Sequence, residues 1–175
     1  IEKGTNRNEF IKGNVNKYEW QNLGSSYVLS DLQKAFLYSQ LKRIEEISQT
    51  RRYICDKYNE GFFDLEQKGL ITRCKVPVNC TPNGHIYFIL LSKSLNRERI
   101  IKALRKIKIS ATSHYEPLHL SPAGKKLGKI SGDLSTTNFI SKKVLRLPVW
   151  PDLEDDQINF IIDSTIKIIK NKSIN

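Results

Sequence analysis

NGHIYFILLSKSLNRERIIKALRKIKIS, residues 83–110, changes periodicity halfway along. Asn83-Gly84 marks a turn. HIYFILL, residues 85–91, is rich in β-branched and aromatic side chains and predicts a buried strand. Asn96 then offers a side-chain oxygen to the first turn of a helix over Arg97 to Lys106. Ile100, Ile101 and Leu104 recur on one face of that helix. KISATSHY, residues 108–115, reads as a second strand. A strand–helix–strand unit with further helices around it predicts an α/β domain of two layers.

Towards the N-terminus, Ser30-Asp31-Leu32-Gln33 fits a capping box, hydroxyl and amide satisfying free N–H groups at a helix start. Leu32, Ala35, Phe36, Leu37, Leu41, Ile44 and Ile47 follow at helical spacings. No Gly or Pro intervenes before Gly61. A helix of about 30 residues would run roughly 45 Å, so it is expected either to kink near Ser48–Thr50 or to bridge two domains. Gly69, Pro77 and Pro82 mark the loops that end it. Residues 1–23 are polar, show no period and read as loops over something larger. Towards the C-terminus, PLHLSPAGKKLGK reads as irregular. A short helix is expected around Ser135 to Lys143, then an extended RLPVW, then a helix from about Glu154 to Ile169.

The 175-residue chain carries 29 Lys+Arg against 18 Asp+Glu, a net charge of +11. The cations are scattered among Ile and Asn rather than gathered into a groove-reading motif, which argues against nucleic acid as the partner. No apolar run approaches the roughly 18 residues that span a bilayer, and no signal peptide is visible. A cytoplasmic protein without a membrane partner is expected. Cys55, Cys74 and Cys80 have neither disulfide-set nor metal spacing, so free thiols and no metal are expected. The chain has no Met and begins at Ile1, which suggests that it starts inside a longer protein.

Three stretches could carry chemistry. GSSY (residues 24–27) precedes the capped helix; Ser25 and Ser26 supply hydroxyls beside free N–H groups and suit a phosphate, although ordinary caps look the same. HYEPLH holds His114, Tyr115 and His119. The two imidazoles lie five residues apart with Pro117 between them, a spacing for no metal but compatible with a polar pocket. EKGTNR places Lys3, Asn6 and Arg7 around a flexible Gly, able to clamp an anion. GxSxG, HExxH and P-loop patterns are absent.

Taken in order, EKGTNRNEFIKGNVNKYEWQNLGSSYVLSDLQKAFLYSQL, NGHIYFILL, ATSHYEPLHLSPAG and RLPVW resemble the C-terminal half of the DegT/StrS sugar aminotransferases. Within that family they resemble the subgroup of dTDP-4-amino-4,6-dideoxygalactose transaminases, which serve enterobacterial common antigen and related lipopolysaccharide pathways. The resemblance implies the type I aminotransferase fold, with pyridoxal 5′-phosphate (PLP) as cofactor. It implies amino transfer from glutamate to a dTDP-keto-sugar by a homodimer with shared active sites. On it, 1–29 is a remnant of the large PLP-binding domain, 30–68 the long connecting helix region, and 69–175 the small α/β domain. Ser26, where most of the family has Asn, would reach the cofactor phosphate of the neighbouring subunit, with Ser25 beside it. His119, Tyr115 and His114 would line the sugar cavity, and Asn6, Arg7, Lys17 and Tyr18 would approach the sugar nucleotide. The family's Schiff-base lysine lies upstream of the segment matching Ile1, so the chain alone is expected to bind PLP weakly and not to transaminate. The competing expectation is a stand-alone, non-catalytic interaction domain derived from this family. A nucleic-acid-binding module, the third, rests on charge alone.

Overall fold

The computed structural model describes residues 10–14 and 29–171, which fall in two compact units, Ile1–Ile44 and Glu45–Asn175. In the first unit, helix α1 (Asp31–Lys42) begins as its capping box requires. The Gln33 N–H donates to Ser30 Oγ at 3.3 Å, and the Ser30 N–H donates to Gln33 Oε1 at 3.0 Å. The helical run is not continuous, however, and it does not break at Ser48–Thr50. Arg43 leaves helical geometry at φ −107°, ψ 13°, and its N–H closes on Gln40 O at 3.1 Å. A tightened i→i−3 closure of this kind needs neither Gly nor Pro, so no residue type announces it. Helix α2 (Ile44–Gly61) follows.

The second unit continues with α3 (Phe63–Gln67), β1 (Ile71–Arg73), β2 (Tyr87–Leu91) and α4 (Arg97–Lys106). A 3-10 turn (Leu118–Leu120), α5 (Pro122–Leu127), α6 (Ser135–Lys143), β3 (Val144–Leu147) and α7 (Asp155–Lys170) complete it. The strands form an antiparallel sheet in the order β1-β2-β3, so the mixed helix-and-sheet class expected from the sequence holds. Register sets Ile71 against Leu91 and Ile89 against Leu145. Because side chains alternate across a strand, Tyr87, Ile89 and Leu91 share one face, and all three are buried. They meet Ile54, Tyr58, Phe62, Ile100, Leu104, Ile158 and Ile162 in one core. Burial of each such aliphatic side chain contributes about 1.5–3 kcal/mol.

The core keeps its polar atoms satisfied where it buries aromatic hydroxyls. Tyr58 and Tyr87 pack with ring centroids 4.9 Å apart. The Tyr58 hydroxyl donates to Pro148 O at 2.8 Å, and that of Tyr87 to Asn59 Oδ1 at 2.9 Å. Glu66 ties α3 to β1, accepting from the Arg73 backbone N–H and from its Nε, each at 2.8 Å. These bonds hold the Glu66 carboxyl below the usual carboxylate range, the backbone N–H contributing most.

Two expectations change here. KISATSHY is not a strand. Its first residues terminate α4: Lys108 adopts φ 64°, its N–H bonds Arg105 O, and the Ile109 N–H bonds Leu104 O, each at 3.0 Å. That bond pair, with Ile109 and Leu104 both buried, is a Schellman closure with Lys where Gly is usual. Only Thr112 then pairs with the sheet, as an isolated bridge to Arg146. Nor is PLHLSPAGKKLGK irregular throughout, since it contains the 3-10 turn and α5. Pro122 sits in the first turn of α5, where its missing N–H costs nothing.

Candidate functional site

The β2 face opposite the core carries Phe88 and Leu90, and α6 packs against that strand. HYEPLH runs past the same face. The His114 ring stands edge-on to Phe88, 6.5 Å between centroids, and Tyr115 is 88% exposed. Pro117 leads into the 3-10 turn that presents His119. His119 is half-buried, and its Nε2 lies 2.7 Å from Asn138 Oδ1 on α6.

The turn itself is firmly held. Ser121 Oγ donates to Leu118 O at 2.7 Å and accepts from the Gly124 N–H at 3.0 Å. Gly124 is there because nothing larger fits: a Cβ on it would stand 1.6 Å from Leu118 O. Thus His119 is anchored twice, by the backbone beneath it and by an amide from a separate helix. Asn138 was not singled out in the sequence. It lies 19 residues away in a polar helix, and no spacing rule joins the two.

The structure therefore brings His114, Tyr115 and His119 into one exposed segment of the second unit. Ser25, Ser26, Asn6, Arg7, Lys17 and Tyr18 lie outside the described residues. His85, the remaining histidine, bonds Asn83 Oδ1 through its Nδ1 at 2.5 Å in the turn before β2. Clefts open elsewhere among the described residues, two of them with aromatic walls. One, of about 590 Å³, is lined by Ile71, Phe139 and Lys143; the other, of about 730 Å³, by Lys102, Phe160 and Lys167. Neither includes HYEPLH, whose Tyr115 and Leu118 stand open to solvent. Among the described residues there is no cluster of potential metal ligands, and no helix is long and apolar enough to cross a membrane. Cys55 and Cys74 are half-buried and Cys80 is exposed, all three as thiols.

The model of the DegT/DnrJ/EryC1/StrS aminotransferase family matches residues 5–165. The chain belongs to that family. An uncharacterised protein of Methanocaldococcus jannaschii is 31% identical over 156 residues, covering 87% of this chain and 40% of its own length. The dTDP-3-amino-3,4,6-trideoxy-alpha-D-glucose transaminase of Micromonospora megalomicea is 28% identical over 149 residues, covering 83% and 39%. Among solved structures, S. venezuelae DesV in complex with a ketimine intermediate overlays with a TM-score of 0.77 at 24% identity, covering 89% of this chain and 41% of that one. The chain thus spans about 40% of the length of the relatives it matches.

DegT/DnrJ/EryC1/StrS aminotransferases depend on PLP. The described residues do not by themselves make a pocket for it. Among them no lysine is buried, whereas an amine that captures a carbonyl near neutral pH must have its ammonium form disfavoured by desolvation or a neighbouring cation. What they do offer is a fixed imidazole and a phenol on an exposed segment, groups suited to hydroxyls of a polar ligand.

Proposed function

We propose that this chain is the C-terminal portion of a PLP-dependent sugar-nucleotide aminotransferase, acting on a dTDP-4-keto-6-deoxyhexose with glutamate as amino donor. The family match across 5–165 carries this reading, and the 40% share of the relatives' length fits a portion of a larger enzyme. PLP, when bound, stores the amino group between two half-reactions. In this reading its anchoring lysine lies outside the chain, and the chain alone does not transaminate.

The chain's own residues serve the ligands. Ser26 and Ser25 offer hydroxyls to the cofactor phosphate of a neighbouring subunit in a cytoplasmic homodimer. His119, Tyr115 and His114 take sugar hydroxyls, while Asn6, Arg7, Lys17 and Tyr18 take the nucleotide side. Residues 1–29 are then the remnant of the large domain, 30–68 the connecting region and 69–175 the small domain. The product amino sugar goes to a surface polysaccharide of the enterobacterial common antigen type. The exposure of Tyr115 and Leu118 supports this division, because HYEPLH supplies one side of a cavity whose other side belongs to another part of the protein.

The alternative, a stand-alone interaction domain, requires a surface made polar where the large domain would sit. Phe36, 70% exposed on α1, counts against it. The deciding measurement is intact mass and peptide mapping of the protein from its own cells after borohydride reduction. A mass well above 20.2 kDa, with a phosphopyridoxyl-lysine on a peptide preceding Ile1, is expected. A native 20.2 kDa species without cofactor would overturn the proposal and favour the interaction domain.

A further inference from the structure

We infer that Asn138 is a positioning residue that fixes which nitrogen of His119 faces the ligand, and thereby the kind of group His119 accepts. The observation is the 2.7 Å approach of Asn138 Oδ1 to His119 Nε2. An amide oxygen only accepts hydrogen bonds, so Nε2 must carry the proton. In the neutral ring that leaves Nδ1 with a free lone pair, and among the described residues Nδ1 has no partner. His119 therefore presents an acceptor, and the matching ligand group is a donor such as a hydroxyl.

The framework around the pair is built to keep this arrangement. His119 sits in a 3-10 turn closed by Leu120 N–H to Pro117 O at 2.9 Å and by Ser121 N–H to Leu118 O at 3.2 Å. Asn138 is at mid-helix in α6, whose chain leads directly into β3. Lys143, at the last turn of α6, donates to Lys93 O at 3.0 Å and Leu95 O at 2.8 Å, and Arg97 donates to Ser141 O. The Asn138 end of the bond thus rests on a helix packed against β2 and tied to the segment that follows it, and the His119 end on a turn closed by its own backbone. The partner is an amide rather than a carboxylate, so it selects the tautomer without adding a charge to the site. That suits a group whose task is to receive a hydrogen bond and hold a sugar hydroxyl in place. Only the ligand's identity rests on the sugar-nucleotide reading; the tautomer does not.

The test is ¹⁵N NMR of the histidine rings in the protein at the length its own cell produces. His119 is expected to show a protonated Nε2 and an unprotonated Nδ1, with the Nε2 proton shielded from water exchange. Asn138→Ala should expose that proton to exchange and leave a tautomer mixture, and Asn138→Asp, which retains an acceptor though it adds a charge, should again shield the Nε2 proton. Adding dTDP-glucose should move the Nδ1 resonance, and Asn138→Ala should weaken its binding about threefold to tenfold, the worth of one oriented hydrogen bond. A protonated Nδ1 in the parent protein, or an Nε2 proton equally shielded in Asn138→Ala, overturns the inference. The expected tautomer with no response to dTDP-glucose overturns the sugar-nucleotide reading and leaves the positioning role standing.

Discussion

Replacing Gly124 by Ala isolates the geometry on which the HYEPLH segment depends. In an ordinary helix this change stabilises by about 0.5–1 kcal/mol, since Gly surrenders more backbone freedom on folding. Here the new Cβ would lie 1.6 Å from Leu118 O, 2.6 Å from Leu118 C and 2.9 Å from Ser121 Oγ. The first two are backbone atoms of the 3-10 turn, and the third is the α5 cap, so no flexible side chain can yield. The Cβ and Leu118 O would have to part by about 1.4 Å to reach the edge of normal contact, and overpacking of this kind costs roughly 1–3 kcal/mol. The clash outweighs the propensity gain, for a net loss of about 1–2 kcal/mol and a fall in Tm of about 3–6 °C. Because the turn can open without the core, amide exchange at Leu120, Ser121 and Gly124 should accelerate before the global midpoint falls. Gly132→Ala is the comparison: at φ +74° with nothing within 4 Å, it meets only the left-handed backbone cost of about 1–2 kcal/mol, and exchange at the turn should not change. Thermal unfolding by circular dichroism with hydrogen exchange reads both. A Gly124→Ala protein as stable as its parent, with unchanged exchange at 120–124, would refute the reasoning.

Lys108→Gly should raise stability by about 0.5–1 kcal/mol, because Lys108 holds a left-handed conformation that Gly adopts freely; calorimetry showing a lower Tm would contradict the Schellman reading. The Cys55 thiol is pushed up to about 11 chiefly by burial, with the nearby Asp56 and Cys74 adding to it. Above the ordinary thiol range the unfolded chain loses this proton while the folded chain keeps it, so stability should fall as pH rises from about 9 to 11. Burial of the Tyr58 and Tyr87 hydroxyls acts in the same direction at the alkaline end. Urea midpoints across that range should fall less steeply in Cys55→Ala; an unchanged slope would exclude the thiol as a source.

Local chemistry accounts for much of what could be read in advance. Asn96 caps α4 where expected, its Oδ1 accepting the Arg99 N–H at 3.1 Å, and Ile100, Ile101 and Leu104 are buried as their spacing requires. The helix Ser135–Lys143 and the last helix lie where patterning put them. Glu154 rather than a Ser or Thr supplies the last helix's cap, with Gln157 reaching back to its N–H at 3.1 Å. The misreadings share a cause. KISATSHY has the composition of a strand, but the C-terminus of α4 claims Lys108 and Ile109, and register leaves only Thr112 opposite Arg146. β1 is three residues long and has too little periodicity to stand out.

The functional segment divides in the same way. HYEPLH was visible as a cluster of polar rings around a rigid Pro, and the family resemblance could be carried by its residue types, because both are properties of adjacent positions in the chain. Which nitrogen of His119 is held, and by what, was not visible. That depends on packing α6 against β2, which sets an amide 19 residues away at 2.7 Å. The sequence by itself determined the caps, the buried face of α4 and the family, each of which is written in short-range spacing and residue type, whereas the apolar stripe of α1 stays exposed among the described residues. Only the tertiary structure decided the break at Arg43, the loss of the second strand and the His119–Asn138 bond. Each of those turns on where backbone hydrogen bonds close and which elements share a sheet face, and no local pattern encodes that.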